Sequence, residues 1–179
     1  MTDLRERVED DRGLIKKIQL IIPGYRGYRQ REDARIADSL LRTQIADAVK
    51  EHIMQPLELC REEASRALEL DIMNNIAAVI TKAKTAEAKV RHAEQGYSGI
   101  SAGVRIEQEE LNTLYELDLS LLTAVQSLGT AAKAAADSAA AGDFAGVSAK
   151  LSALKSDLQE FISILDKRIN TAAGILVEA

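Results

Sequence analysis

The residues with the most chemical capacity gather in one stretch, Gly24-Tyr25-Arg26-Gly27-Tyr28-Arg29-Gln30-Arg31-Glu32-Asp33-Ala34-Arg35, with Arg42 one heptad beyond Arg35. On a helix, Arg31, Arg35 and Arg42 share a face at i, i+4 and i+11, while Arg26 and Arg29 lie in or beside the preceding loop. Guanidinium forks next to the free amides of a helix start form an anion site, and Tyr25 or Tyr28 can stack on a ring. Recognition of phosphate or of an acidic partner segment is the chemistry such a set can do. Tyr25, Arg26, Tyr28, Arg29, Arg31, Arg35 and Arg42 are therefore the candidate binding residues. A plainer reading stands beside this one: Glu32, Asp33 and Asp38 are interleaved with the arginines and can neutralise them in a surface ion network. Arginines at a helix start also run against the helix dipole, and a broken local rule often marks a functional stretch.

Other chemistries find less support. A di-iron site in a helical bundle needs Glu-x-x-His on two helices, but Val49 and Lys89 stand three residues before His52 and His92. Neither a metal, a cofactor nor a catalytic residue is expected. Cys60 falls on an apolar helical stripe, where a lone cysteine is a core residue, and His52 reads as a satisfied core or surface side chain. Gly24 and Gly27 lack the third glycine and the preceding strand of a phosphate-binding loop. Asp118, near Tyr115, sits on a heptad core position; if buried it demands a partner such as Arg or Tyr, and an alternative seam would turn it to water.

Composition fixes what must carry these residues. Aromatics are only 3% of 179 residues, with no Trp, and only two prolines and ten glycines interrupt the chain. Small and aliphatic side chains then have to form the core, which favours close-packed helices over a sandwich or barrel. The net charge of −5 disfavours duplex nucleic acid as a partner. The single Cys60 excludes an intramolecular disulfide. No basic-then-apolar leader opens the chain, and no apolar run approaches the roughly 20 residues of a membrane span, so a cytoplasmic location is expected.

Along the chain, residues 2–22 read as a first helix, with Lys16 and Lys17 in its amphipathic C-terminal half. After the Pro23-Gly24 breaker a second helix is expected from near Arg29 to about Gln55, kinked or briefly broken at Pro56, and then resumed to about Leu70. Asp71 is a candidate cap for a third helix, stopped by Gly96, unless the helix simply continues. Two overlapping seams, one through Leu111, Leu114, Asp118, Leu121, Val125 and Leu128 and one through Leu114, Leu117, Leu121, Ala124 and Leu128 that avoids Asp118, describe a long helix over about 105–141. Gly142-Asp143 makes a turn, with Asp143 capping a last helix carrying Val147, Leu151, Leu154, Leu158, Phe161, Leu165, Ile169 and Ala172. Gly96-Tyr97-Ser98-Gly99 echoes Gly24-Tyr25-Arg26-Gly27, which suggests one loop geometry used twice, with each Tyr ring closing an end of the bundle.

The phrase running from Gly24 to Arg42, together with Gly96-Tyr97-Ser98-Gly99 and Leu114-Tyr115-Glu116-Leu117-Asp118, resembles a pattern of uncharacterised prokaryotic all-helical proteins. The resemblance covers the middle of the chain, implies a soluble helical protein, and carries no assigned activity.

These readings combine into an all-α fold, an elongated antiparallel bundle of four to five helices with a long C-terminal helical hairpin. A single domain over residues 1–179 is expected, with residues 1–22 able to serve as a docking arm. The expected function is that of a non-enzymatic interaction or scaffold protein, a homo-oligomer whose Arg/Tyr stretch recognises another protein. An alternative uses the same arginines for a small anion or nucleotide. A third places the first helix on a membrane surface, opposed by acids at positions 3, 6, 9, 10 and 11.

Overall fold

The 4-3 spacing of apolar residues along the second half of the chain dictates a helical pair. In a computed structural model, α5 (Gln108–Ala140) and α6 (Phe144–Val177) pack together along their length. Leu114, Leu121, Val125, Leu128, Ala132 and Ala135 of α5 are buried against Val147, Leu151, Leu154, Leu158, Phe161 and Leu165 of α6. At 1.5 Å rise per residue each arm is about 50 Å long. The structure describes residues 4–25, 31–93 and 108–177; within these, the side chains of residues 4–12, 31–37, 108–111 and 174–177 are outside the description.

The hairpin turn follows from two residues. Gly142 takes a left-handed φ of 74°, and the amides of Gly142 and Asp143 return to the carbonyls of Ala139 and Ser138 at 3.0 and 2.9 Å. This closes α5 with the usual glycine-terminated cap. Asp143 Oδ1 then accepts from the Gly146 amide at 2.9 Å and caps α6, as its position implied.

The rest of the bundle is one long broken-register rod and its return. α2 (Arg31–Ala48), a π-helical segment (Val49–Met54) and α3 (Gln55–Arg66) run on without interruption, and α4 (Leu70–His92) folds back along them. No break falls at Pro56; of the two forms expected, the chain stays helical through it, and the irregularity is the π turn just ahead of it. Proline lacks an amide and its ring crowds the carbonyl four residues back, here that of His52. The π turn widens the helix just ahead of it, ending with the Gln55 amide on the Lys50 carbonyl, and the helix passes through. Gly129 of α5 lies against this turn; a Cβ there would come within 2.9 Å of the His52 Cβ, so the close approach needs a glycine.

The real break comes at Ala67-Leu68-Glu69. The Leu68 and Glu69 amides donate to the Ser65 and Ala64 carbonyls at 3.1 and 2.9 Å, the same bond pattern as at Gly142, but with a leucine at φ 62°. Glu69, not Asp71, precedes α4, and its side chain makes no capping bond; Asp71 sits in the first turn. The expected stop at Gly96 lies outside the described residues.

Cross-helix contacts give the directions. Arg91 near the end of α4 reaches Asp47 of α2, so these helices are antiparallel. Lys82 to the Lys155 carbonyl, and Lys89 to Asp166, run α4 and α6 in the same sense. His52 opposite Gly129, and Cys60 Sγ 3.7 Å from the Ala135 carbonyl, make α2–α3 parallel to α5. α1 (Leu4–Ile21) packs on α5, and its Ile15 and Ile18, with Ile22 just after it, join the same core. Among the described residues all regular structure is helical, and no helix is long and apolar enough to cross a membrane.

The turn at Leu68 generates a prediction. A left-handed backbone costs a side-chain-bearing residue about 1–2 kcal/mol, and Leu68, 80% exposed, recovers little by packing. Glycine gives back part of that through its freer unfolded chain. Leu68→Gly should raise stability by about 0.5–1 kcal/mol, or roughly 2 °C in Tm, measured by calorimetry. A lowered Tm would mean that the leucine holds something the turn geometry does not reveal.

Candidate functional site

One end of the bundle collects the start of α2, the end of α4, the beginning of α5 and the end of α6. Among the described residues four charged ones are buried there: Asp38 and Arg42 of α2, Asp118 of α5 and Arg168 of α6, none more than 8% exposed. Lys, Arg, Asp and Glu are almost never fully buried unless paired, and these are paired in a chain. Arg42 Nη1 donates to the Arg91 carbonyl of α4 at 3.2 Å, and Arg42 Nε donates to Asp38 Oδ2 at 2.8 Å. Arg168 Nη2 approaches Asp38 Oδ1 at 2.6 Å, a charge contact without the alignment of a hydrogen bond. Arg168 Nε donates to Asp118 Oδ1 at 3.0 Å. Two guanidiniums meet two carboxylates, so the set carries no net charge.

The placement follows from register. Asp38 and Arg42 are one turn apart on the face that continues through Ile45, Val49 and Ile53, all buried. Arg168 occupies the next step of the α6 seam, three residues after Leu165 and four before Ala172. Asp118 stands in the α5 seam between Leu114 and Leu121. The alternative that turned Asp118 to water is corrected: it is fully buried, and a partner of the type its burial demands is Arg168. The surface ion network is also corrected at Asp38, whose pairing with Arg42 is interior.

The candidate residues separate accordingly. Tyr25 is 1% exposed, behind Gly24 at φ 88°, and its carbonyl accepts from Gln19 Nε2 at 2.7 Å. Its ring packs in the core at the end of α1, the role proposed for both loop tyrosines, while Tyr97 is outside the described residues. Arg42 is likewise internal. Arg31 and Arg35 lie on the first turns of α2, their side chains outside the description, and Arg26, Tyr28 and Arg29 fall outside the described residues altogether. The structure brings Arg42 together with Asp38, Asp118 and Arg168, and not with an open surface.

Chemically the quartet holds helices in place. Acid–base work needs a group that substrate can reach, and these four face one another inside the core. Tyr115, 2% exposed on α5, lies one turn before Asp118 on the same helix. Cys60 sits elsewhere in the core, where burial pushes its thiol pKa up and suppresses the reactive thiolate. Among the described residues no cluster of His, Cys, Asp or Glu has the makings of a metal site.

Breaking a buried ion pair strands the remaining charge, whereas replacing the whole set with apolar residues removes the desolvation cost as well. Arg168→Met should lower the unfolding free energy by about 3–5 kcal/mol, because Asp38 and Asp118 both lose their shared cation. The combined Asp38→Leu, Arg42→Met, Asp118→Leu and Arg168→Met protein should be as stable as wild type or more so. Denaturant unfolding measures both. A loss below about 1 kcal/mol for Arg168→Met would show that water reaches the site and screens it.

Compared with known proteins, this chain matches no protein-family model, no curated protein and no solved structure, so its fold and its buried quartet rest on the geometry above.

Proposed function

We propose that this chain is a non-enzymatic, self-associating helical interaction protein of the cytoplasm, with its recognition edge on the opening turns of α2. The observation that carries the reading is a continuous stripe. Arg31, Arg35, Asp38 and Arg42 recur at i, i+4, i+7 and i+11, one face of one helix. The inner pair of that stripe is locked in the bundle by Arg168 and by the Arg91 carbonyl. The outer pair extends it toward the end of the bundle. A helix pinned so close to its start holds the backbone of its opening turns in place, which lowers the ordering cost of binding there.

Planar guanidinium forks suit carboxylate and phosphate groups, so the fitting partner is an acidic protein segment, and the same edge could take a free phosphate-bearing ligand. The membrane-surface reading has less behind it: the apolar residues Ile15 and Ile18 of α1, with Ile22 just after it, are already spent on the core.

Substitution of Arg29, Arg31 and Arg35 by Gln tests the edge. Loss of an acidic partner captured from native lysate, with Tm unchanged within about 2 °C, is the expected outcome. A phosphate-dependent rise in the wild-type Tm that the variant lacks would make the edge a small-anion site, since a ligand stabilises only the state that binds it. Unchanged capture by the variant would return these arginines to a purely structural role.

A further inference from the structure

The α5–α6 hairpin carries an open groove of about 470 Å³ on its outer side, away from α2 and α4. Leu119, Ala124 and Ile164, each partly exposed, are its accessible apolar lining above the buried Leu128 and Phe161, and Asp157 and Glu160, both exposed, stand on its rim; among the described residues no basic side chain lines it. A groove between two antiparallel helices is shaped for a third helix, and its charge asks for a basic one.

The chain supplies a helix face of that kind. The last two turns of α1 turn Ile15 and Ile18 inward, with Ile22 just after them, and leave Lys16, Lys17 and Leu20 outside. Leu20 is 86% exposed, the most of any large apolar side chain described. One apolar knob between two ammonium groups complements an apolar trough beside two carboxylates. Within one chain this face points away from the bundle, so it cannot fill its own groove.

We propose that the α5–α6 groove receives the Lys16–Leu20 face of α1 from a second copy of this chain. The inference rests on the self-association proposed above and specifies its surface. Both features lie along α5, since α1 packs on that helix and α5 forms one wall of the groove. In a two-fold dimer the contact is made twice, each copy giving a helix and accepting one. The pairing also explains how an acidic chain associates with itself: its net charge of −5 repels, but the contact opposes two lysines to two carboxylates.

Charge reversal decides the matter by sedimentation equilibrium on full-length protein. Lys16→Glu/Lys17→Glu and Asp157→Lys/Glu160→Lys change exposed residues only, and circular dichroism melts verify that both fold. Each variant alone should self-associate at least about tenfold more weakly than wild type. An equimolar mixture of the two should recover the wild-type affinity, because both reciprocal contacts again join opposite charges. Leu20→Asp should weaken association without rescue by either. Wild-type affinity in both charge variants would overturn the groove assignment while leaving self-association standing, and so would weakening of both with no recovery on mixing. A wild-type chain monomeric up to about 100 μM would overturn the self-association itself and this surface with it.

Discussion

The Arg168 guanidinium, held between Asp38 and Asp118, is the contact on which the packed end of the bundle depends. It joins α6 to α2 and α5 through two carboxylates, and Asp38 passes the connection to Arg42 and on to the α4 backbone. Apolar seams alone tolerate sliding by a heptad, since one leucine resembles the next. A charge in the core does not: shifted by a turn, it faces apolar side chains and loses several kcal/mol. We infer that the quartet sets the axial register of three helices and leaves the strength of packing to the apolar residues, which would explain ions at positions where leucine is the simpler choice.

Much of this architecture was legible in the chain because a heptad is a local pattern. Leu114 to Ala135 and Val147 to Leu165 announce their helices, and Gly142-Asp143 announces the turn between them. The buried quartet was only half legible. Asp118 stood out as an acid in an apolar seam, and its need for a cation follows from its burial. Arg168 escaped notice because the α6 stripe can be continued through Ile169, and only the strict 4-3 alternation from Leu165 to Ala172 places an arginine inside. Asp38 and Arg42 were visible as charges, but an i, i+4 pair looks the same on a solvated face as in a core. Pairing between residues 38, 118 and 168 is a tertiary fact, and no single helix carries it.

The form of the irregularities at Pro56 and Leu68 has a different cause. Pro56 implies a kinked or briefly broken helix; the helix continues, and the disturbance takes the form of a π turn that needs room, which Gly129 on the neighbouring α5 provides. A boundary near Leu70 is expected from the sequence, but not a turn through Leu68, because the left-handed position there is held by backbone bonds to Ser65 and Ala64 and not by a residue suited to it. In both cases a local preference of the chain is overruled by contacts from outside the segment. Composition predicts which residues resist a conformation, and packing decides whether the resistance matters.

Neutralisation inside the bundle also shapes what remains for its surface. Because the quartet cancels internally, the net charge of −5 belongs entirely to the other residues, and it is unevenly spread. Arg31 and Arg35 continue the quartet's stripe on α2, Lys16 and Lys17 mark the outer face of α1, and Asp157 and Glu160 edge the α5–α6 groove. A net acidic chain with separate basic patches favours specific over indiscriminate contact with whatever it meets, because most orientations oppose like charges. Such selection works only if the faces keep their positions relative to one another. The ion-locked end fixes α2 against α6, and the packing of Ile15, Ile18 and Ile22 fixes α1 against the same core, so the charge pattern on the outside is a consequence of the register set within.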